Sequence, residues 1–201
     1  MNSSSALVAV IASYLMGAVP FGLLFARIFS NIDVRNVGSG NIGATNVLRS
    51  SGKTAAGLTL LMDMLKGYIP VIAAGFFFKN EAVTALCGAA AVLGHNFPLY
   101  LGFKGGKGVA TGFGVIFGVS PLIGLACISV WLVAALIWKY SSLSALVAYA
   151  TYPVLTFFFH SGSRPLRALS LFMAAMIYIR HRANIKRLVD GTEPHIGRGA
   201  S

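Results

Sequence analysis

Long apolar runs leave this chain few ways to fold. They fall at roughly 5–29, 54–78, 82–101, 108–119, 122–138, 142–160 and 166–179, separated by short polar islands. A helix needs about 20 apolar residues to cross the roughly 30 Å hydrocarbon core of a bilayer, and the first three runs reach that length. With 56% hydrophobic residues, 10% charged residues and a mean hydropathy of +0.76, the chain has too little polar surface to clothe a soluble domain. The pattern predicts an all-α integral membrane protein with about seven transmembrane helices, read as one polytopic domain over 1–201. The run at 108–119 is too short for a full span, so it and the Gly-rich segment before it are expected to be short or re-entrant. Five or six full spans is the competing topology.

The net charge of +11 raises nucleic acid as a partner, but the basic residues cluster beside apolar runs. That placement fits lipid head groups, topology signals and anionic small molecules instead. With seven spans, one face carries Arg35, Arg49, Lys53, Lys104, Lys107, Lys139, Arg180, Arg182, Lys186, Arg187 and Arg198, and the other only Lys79, Arg164 and Arg167. The positive-inside rule then puts the C-terminus in the cytoplasm and the N-terminus outside. The N-terminus lacks a basic region and cleavage site, so the first run is read as a retained helix. Cys87 and Cys127 both fall in apolar runs and are expected to be small core residues.

Two polar islands and the tail fall on the basic face. The first is Gly38-Ser39-Gly40-Asn41-Ile42-Gly43-Ala44-Thr45-Asn46-Val47-Leu48-Arg49; the second runs from Gly94-His95-Asn96-Phe97-Pro98 to Gly105-Gly106-Lys107-Gly108. Glycines let backbone N–H groups approach a ligand, Asn, Ser and Thr add neutral hydrogen bonds, and Arg and Lys supply charge, a combination suited to phosphate. The first island satisfies G-x-G-x-x-G, but a membrane helix precedes it where a dinucleotide fold needs a buried strand. The second lacks the first glycine and the Ser or Thr of a P-loop, having Leu101 and Gly108 there. What survives is an N–H nest at Gly105, Gly106 and Gly108, bracketed by Lys104 and Lys107. Close helix packing and interfacial anchoring are the plainer alternatives for these residues.

Asp63 and Lys66 lie inside the second run. Ionisable groups there cost about 2.5–3.5 kcal/mol each, so both should face the protein interior or a wet cavity, pairing with each other or contacting substrate. His95 follows an apolar helix at the edge of the second island and is the side-chain candidate for a general base, with a structural hydrogen-bonded role as the alternative. His160, His181 and His195 have weaker claims, and no histidine pair has metal-ligand spacing. Ser39 and Thr45 lack a visible base and are expected to hydrogen-bond phosphate. Asn41, Asn46 and Asn184 are assigned to substrate hydroxyl or phosphate contacts, or to loop capping. Phe76, Phe77, Phe78, Phe157, Phe158 and Phe159 are read as lipid contacts rather than an acyl groove.

The run Ser39 to Arg49, Gly94 to Pro98 with Phe103 to Thr111, and Asn184-Ile-Lys-Arg-Leu188 with Gly191-Thr-Glu193 strongly resemble the three signature motifs of the bacterial membrane glycerol-3-phosphate acyltransferases that use acyl phosphate. Asp63-x-x-Lys66-Gly67 looks like that family's second helix, and the resemblance covers essentially the whole chain. It implies a multi-pass enzyme of the bacterial inner membrane whose active site faces the cytoplasm. Such an enzyme transfers a fatty acyl group from acyl phosphate to the 1-hydroxyl of glycerol 3-phosphate, giving lysophosphatidic acid and inorganic phosphate as phospholipid synthesis begins. It further implies no coenzyme A or acyl carrier protein as direct donor, no metal, no cofactor and no obligate protein partner beyond membrane lipid.

The residues suit that chemistry. Both substrates carry phosphate, and Arg49, Lys104, Lys107 and Arg187 supply cations on one face. An acyl phosphate is a mixed anhydride with a good leaving group, so direct attack by the glycerol hydroxyl needs no covalent acyl-enzyme. The expected site has His95 as base, or a substrate phosphate oxygen in its place. Lys104 or nest N–H groups stabilise the oxyanion, Ser39, Asn41, Thr45, Asn46, Arg49, Lys66, Gly105, Gly106, Lys107, Gly108, Asn184 and Arg187 contact substrate, and Asp63 and Glu193 support them. A transporter for an anionic metabolite is the runner-up, since buried ionisable groups and broken helices suit one too. One-sided motifs and the lack of an inverted repeat weigh against it. A noncatalytic lipid-binding scaffold leaves the glycine islands unexplained.

Overall fold

The computed structural model describes residues 3–196; Arg198, counted above with the basic face, lies outside them. Among the described residues the chain is helical and contains no strand. The first apolar run divides into α1 (Ser3–Ala18) and α2 (Phe21–Ser30). Pro20 sits at the break, because proline lacks an N–H and disfavours helix in the residue before it. Helix α3 covers Ala44–Phe78 and is interrupted at Gly52, whose φ of 84° and ψ of 179° no other residue type adopts cheaply. The predicted run at 54–78 is the part beyond that break, and 44–51 is a separate helical piece.

Helix α4 (Glu81–Asn96) is capped by the Asn80 side chain, which accepts from the N–H groups of Ala82 and Val83. Then come α5 (Val109–Val119), α6 (Pro121–Trp138), α7 (Ser141–Phe159), α8 (Arg164–Arg180) and α9 (Arg182–Val189). Ser120 and Ser163 cap α6 and α8, each followed by a proline in the first turn. Five stretches, 3–30, 44–78, 81–101, 121–138 and 141–159, are long and apolar enough to cross a membrane. Helix α5, with 11 residues, is the short one the sequence predicts, and α8 has 17.

Small residues let the helices approach closely. A Cβ on Gly17 would collide with Ala91 of α4, one on Gly67 with the Thr111 carbonyl, and one on Gly114 with the Met64 carbonyl. The last two contacts place the start of α5 beside the middle of α3, so the glycine segment before α5 is sunk well below the ends of its neighbours. The main core joins Val71, Val115, Ile116, Ile123, Tyr149, Tyr152 and Met173 from five helices. Leu122, Leu136, Ile137, Phe76 and Phe158 point outward, the arrangement expected where lipid is the solvent.

Candidate functional site

One cavity of about 510 Å³ gathers nearly all the polar motif residues. Its polar end is lined by Ser39, Asn41, Thr45, Arg49, Lys107, Gly108, Ser142, Asn184, Arg187 and Glu193. The first residues of three helices meet there: Ala44 and Thr45 of α3, Val109 and Ala110 of α5, and Ser141 and Ser142 of α7. Helix N-termini present unpaired N–H groups and partial positive charge, so their convergence favours anions before any side chain is counted. The cavity continues as an apolar arm between α3, α5 and α6, past Leu60, Met64, Phe113, Ile128, Trp131 and Leu132. Leu60 and Leu132 are about half exposed, at 46% and 50%, so the arm opens sideways towards lipid.

Side chains add to this field. Lys107 Nζ donates to Asn184 Oδ1 at 2.6 Å. Burial, with Arg187, Arg180 and Arg49 nearby, lowers its pKa to about 8 against the opposing pull of Glu193. Arg49 donates to the His195 carbonyl at 3.3 Å, and its Nε is buried without a partner. Among the described residues, neither Arg49 nor Lys107 has a carboxylate at ion-pair distance. Both keep charge to offer a ligand.

Glu193 instead holds the cationic wall together. Its Oε1 accepts from Ser142 Oγ at 2.6 Å and from Asn184 Nδ2 at 2.7 Å, and its Oε2 from Arg187 Nε at 2.8 Å. Burial alone would raise its pKa, but these three donors outweigh burial and hold it below the ordinary value.

Asp63 and His95 sit on the inner wall of the same cavity. Asp63 Oδ1 lies 2.7 Å from Lys66 Nζ and 3.9 Å from His95 Nδ1. The Lys66 contact is a buried ion pair within one helix face. Lys66 Nζ also donates to the Val19 carbonyl at 2.7 Å and lies 5.6 Å from the Phe21 ring centroid.

Four expectations need correction, and packing accounts for each. Lys66 is turned towards the α1–α2 break and does not line the cavity, where it braces Asp63. Lys104, just after Phe103 with its left-handed φ of 64°, is exposed and outside the cavity lining, away from where an oxyanion in the cavity would form. Gly105 and Gly106 form no open nest. The Gly106 N–H donates to the His95 carbonyl, and both glycine carbonyls accept from Arg180. These glycines serve close packing, since a Cβ on Gly106 would strike the His95 ring and one on Gly105 the His95 carbonyl. Asn46 lines the cavity but works as a loop clamp: its Nδ2, with two hydrogens to share, lies 3.0 Å from each of the Val34, Val37 and Asn41 carbonyls, and its Oδ1 accepts from the Ser39 N–H.

A family model described as glycerol-3-phosphate acyltransferase matches residues 7–191. The chain belongs to the glycerol-3-phosphate acyltransferase family. It is 51% identical to the glycerol-3-phosphate acyltransferase of Dinoroseobacter shibae over 187 residues, 93% of this chain and 91% of that protein. It is 48% identical to the one from Brucella suis over 189 residues, 94% of this chain and 92% of that protein. Crystal structures of PlsY (YgiH), an integral membrane glycerol 3-phosphate acyltransferase, resemble it over 96% of both chains. The glycerol 3-phosphate form gives a TM-score of 0.90 at 42% identity and the lysophosphatidic acid form 0.88 at 41%.

Sequence reasoning missed several residues that this member of the acyltransferase family brings to the site. Ser142 follows the Lys139 that marks the basic face, and that position was the available signal. Thr45 Oγ1 and Ser141 Oγ are 3.3 Å apart, linking the starts of α3 and α7. Arg180 lies 5.3 Å from the Phe97 ring centroid while holding the glycine loop. His181, given a weaker claim than His95 from the sequence, is buried at the cavity wall with Nδ1 2.8 Å from the Ile177 carbonyl. Burial, and Lys107 nearby, lower its pKa to about 4, so it is neutral at neutral pH.

Proposed function

We propose that this membrane protein transfers a fatty acyl group from acyl phosphate to the 1-hydroxyl of glycerol 3-phosphate, releasing lysophosphatidic acid and inorganic phosphate. The observation that carries the reading is the cavity's two-part chemistry. Three helix N-termini with Arg49, Lys107 and Arg187 make an anion-binding end, and an apolar arm open to lipid leads from it. A phosphate-bearing water-soluble acceptor and a phosphate-bearing lipid donor both find their complement in one space.

In this reading Ser39, Asn41, Thr45 and Arg49 with the start of α3 hold one phosphate. Lys107, Gly108 and the start of α5 face the other, and Asn184, Arg187 and Glu193 fix the wall between them. The glycerol hydroxyl attacks the acyl carbon directly as the C–O bond to phosphate breaks. A covalent acyl-enzyme is unnecessary because phosphate already leaves readily. His95 takes the hydroxyl proton, and N–H groups at the start of α5 face the developing oxyanion. No metal or cofactor takes part. The basic end faces the cytoplasm of a bacterial inner membrane, in keeping with the positive-inside rule.

The test uses purified protein with glycerol 3-phosphate and either palmitoyl phosphate or palmitoyl coenzyme A, measuring lysophosphatidic acid. Product from the acyl phosphate alone is expected. Product only from the thioester would overturn the donor, and no product from either in folded protein would overturn the function.

A further inference from the structure

Glycine inside a helix is less stable than alanine and is kept where its missing Cβ serves some purpose. For most helical glycines of this chain the purpose is visible. A Cβ on Gly22 would strike the Ile42 carbonyl, one on Gly94 the Tyr14 carbonyl, one on Gly112 the Tyr149 hydroxyl and one on Gly118 the Val71 side chain. Gly52 makes the break that its φ of 84° requires. Gly57 in α3 has neither reason. Its backbone is ordinary helix, and a Cβ there would meet no atom of the described residues within 4 Å. It nevertheless lines the cavity.

Its place in the wall is the junction of the cavity's two parts. Helix α3 lines the cavity along one face with Lys53, Ala56, Gly57, Leu60 and Met64. At about 1.5 Å per residue, Gly57 sits about 6 Å along the axis from the charged Lys53 and about 4.5 Å from Leu60, where the apolar arm begins. Gly57 and Leu60 are both exposed as well as cavity-lining, so this stretch of α3 forms a rim. Helices α3 and α6 each pack on α5 and both line the arm without packing closely on each other. A slot therefore runs between them, and a side chain at position 57 would enter it.

We propose that Gly57 is a specificity-determining residue: its missing side chain leaves room for a long acyl chain to pass from the polar end into the slot and on to lipid. This rests on the reading of the donor as acyl phosphate. Chains of only a few carbons do not need the slot, so bulk at position 57 acts on long donors and spares short ones.

The experiment follows acylation of radiolabelled glycerol 3-phosphate by the purified, detergent-solubilised protein, with butyryl, octanoyl or palmitoyl phosphate as donor. Wild type is compared with Gly57→Leu, Gly57→Phe and the control Leu61→Phe, which adds bulk at an exposed position of α3 outside the cavity lining. Misfit of a few carbons in an apolar site changes rates by about 10- to 100-fold. The palmitoyl-to-butyryl ratio of kcat/KM is expected to fall about 10-fold in Gly57→Leu and further in Gly57→Phe, and to stay within about twofold of wild type in Leu61→Phe. A wild-type ratio in either Gly57 variant, shown to be folded by its melting temperature, would overturn the role of Gly57 and leave the acyl phosphate reaction standing. An equal loss with all three donors would also overturn it. No product from any acyl phosphate in wild type would overturn the donor reading and this proposal with it.

Discussion

Ser142 Oγ donates to Glu193 Oε1 at 2.6 Å, tying the start of α7 to the segment that follows α9. The same carboxylate holds Asn184 and Arg187, and Asn184 in turn holds Lys107. One acid thus sets the position of two of the cations assigned to phosphate.

Replacing Glu193 by Ala should therefore cost more than its own contacts. Three donors are left unpaired, and we expect about 1–3 kcal/mol of destabilisation, read as a lower melting temperature in detergent, together with a raised KM for glycerol 3-phosphate. The group's folded pKa lies below its ordinary 4.5. Its stabilisation is then fully present above about pH 4.5 and is lost as pH falls through the lower folded value. The melting temperature should drop over that acid window in wild type and stay flatter in Glu193→Gln.

Lys107 makes an alkaline prediction. With a pKa of about 8 in the empty site, it is cationic below that pH and neutral above it, while a phosphate monoester is already doubly ionised above roughly pH 6. The KM for glycerol 3-phosphate should be flat near neutrality and rise towards about tenfold per pH unit above 8. Lys107→Arg should remove the alkaline rise, and a rise that persists in the arginine variant would point to another group.

Gly106→Ala tests the packing of the glycine segment. The added methyl would displace the His95 ring, so kcat should fall by about 10²-fold or more if His95 is the base. KM should change less, as measured by steady-state kinetics on folded protein.

Lys104→Ala should behave differently from Lys107→Ala. The Lys104 side chain is exposed and outside the cavity lining, so turnover is expected within about twofold of wild type, the usual small effect of an exposed substitution. A loss comparable to that of Lys107→Ala would restore the sequence-based expectation.

Hydropathy and glycine content made much of this legible in the sequence. The shortness of α5 followed from a run of about 12 apolar residues where about 20 are needed, and the sinking of the segment before it followed from that shortfall. The cationic character of the site was visible in Arg49, Lys107 and Arg187 on one face. Spacing alone could not show which lysine of the pair 104 and 107 points inward, because the loop between α4 and α5 turns through left-handed residues at Gly102, Phe103 and Gly108 that no periodicity reports. Nor could it show that Asn46 spends all its hydrogen bonds on its own loop, since loop capping and ligand contact use the same residue type. The approach of His95 Nδ1 to within 3.9 Å of Asp63 Oδ1 joins positions 32 residues apart, through a contact between α3 and α4 that no local pattern encodes.

The sideways opening between Leu60 and Leu132 bears on what happens after the chemistry. The acceptor arrives as a small ion from water, but the proposed product is a wedge with one charged end and one long tail. It can back out along the arm with its tail leading, and so enter the sheet of lipid nearest the site. Entry of one reactant and departure of the product then use separate doors, and newly made lipid is delivered to one side of the membrane by the shape of the exit.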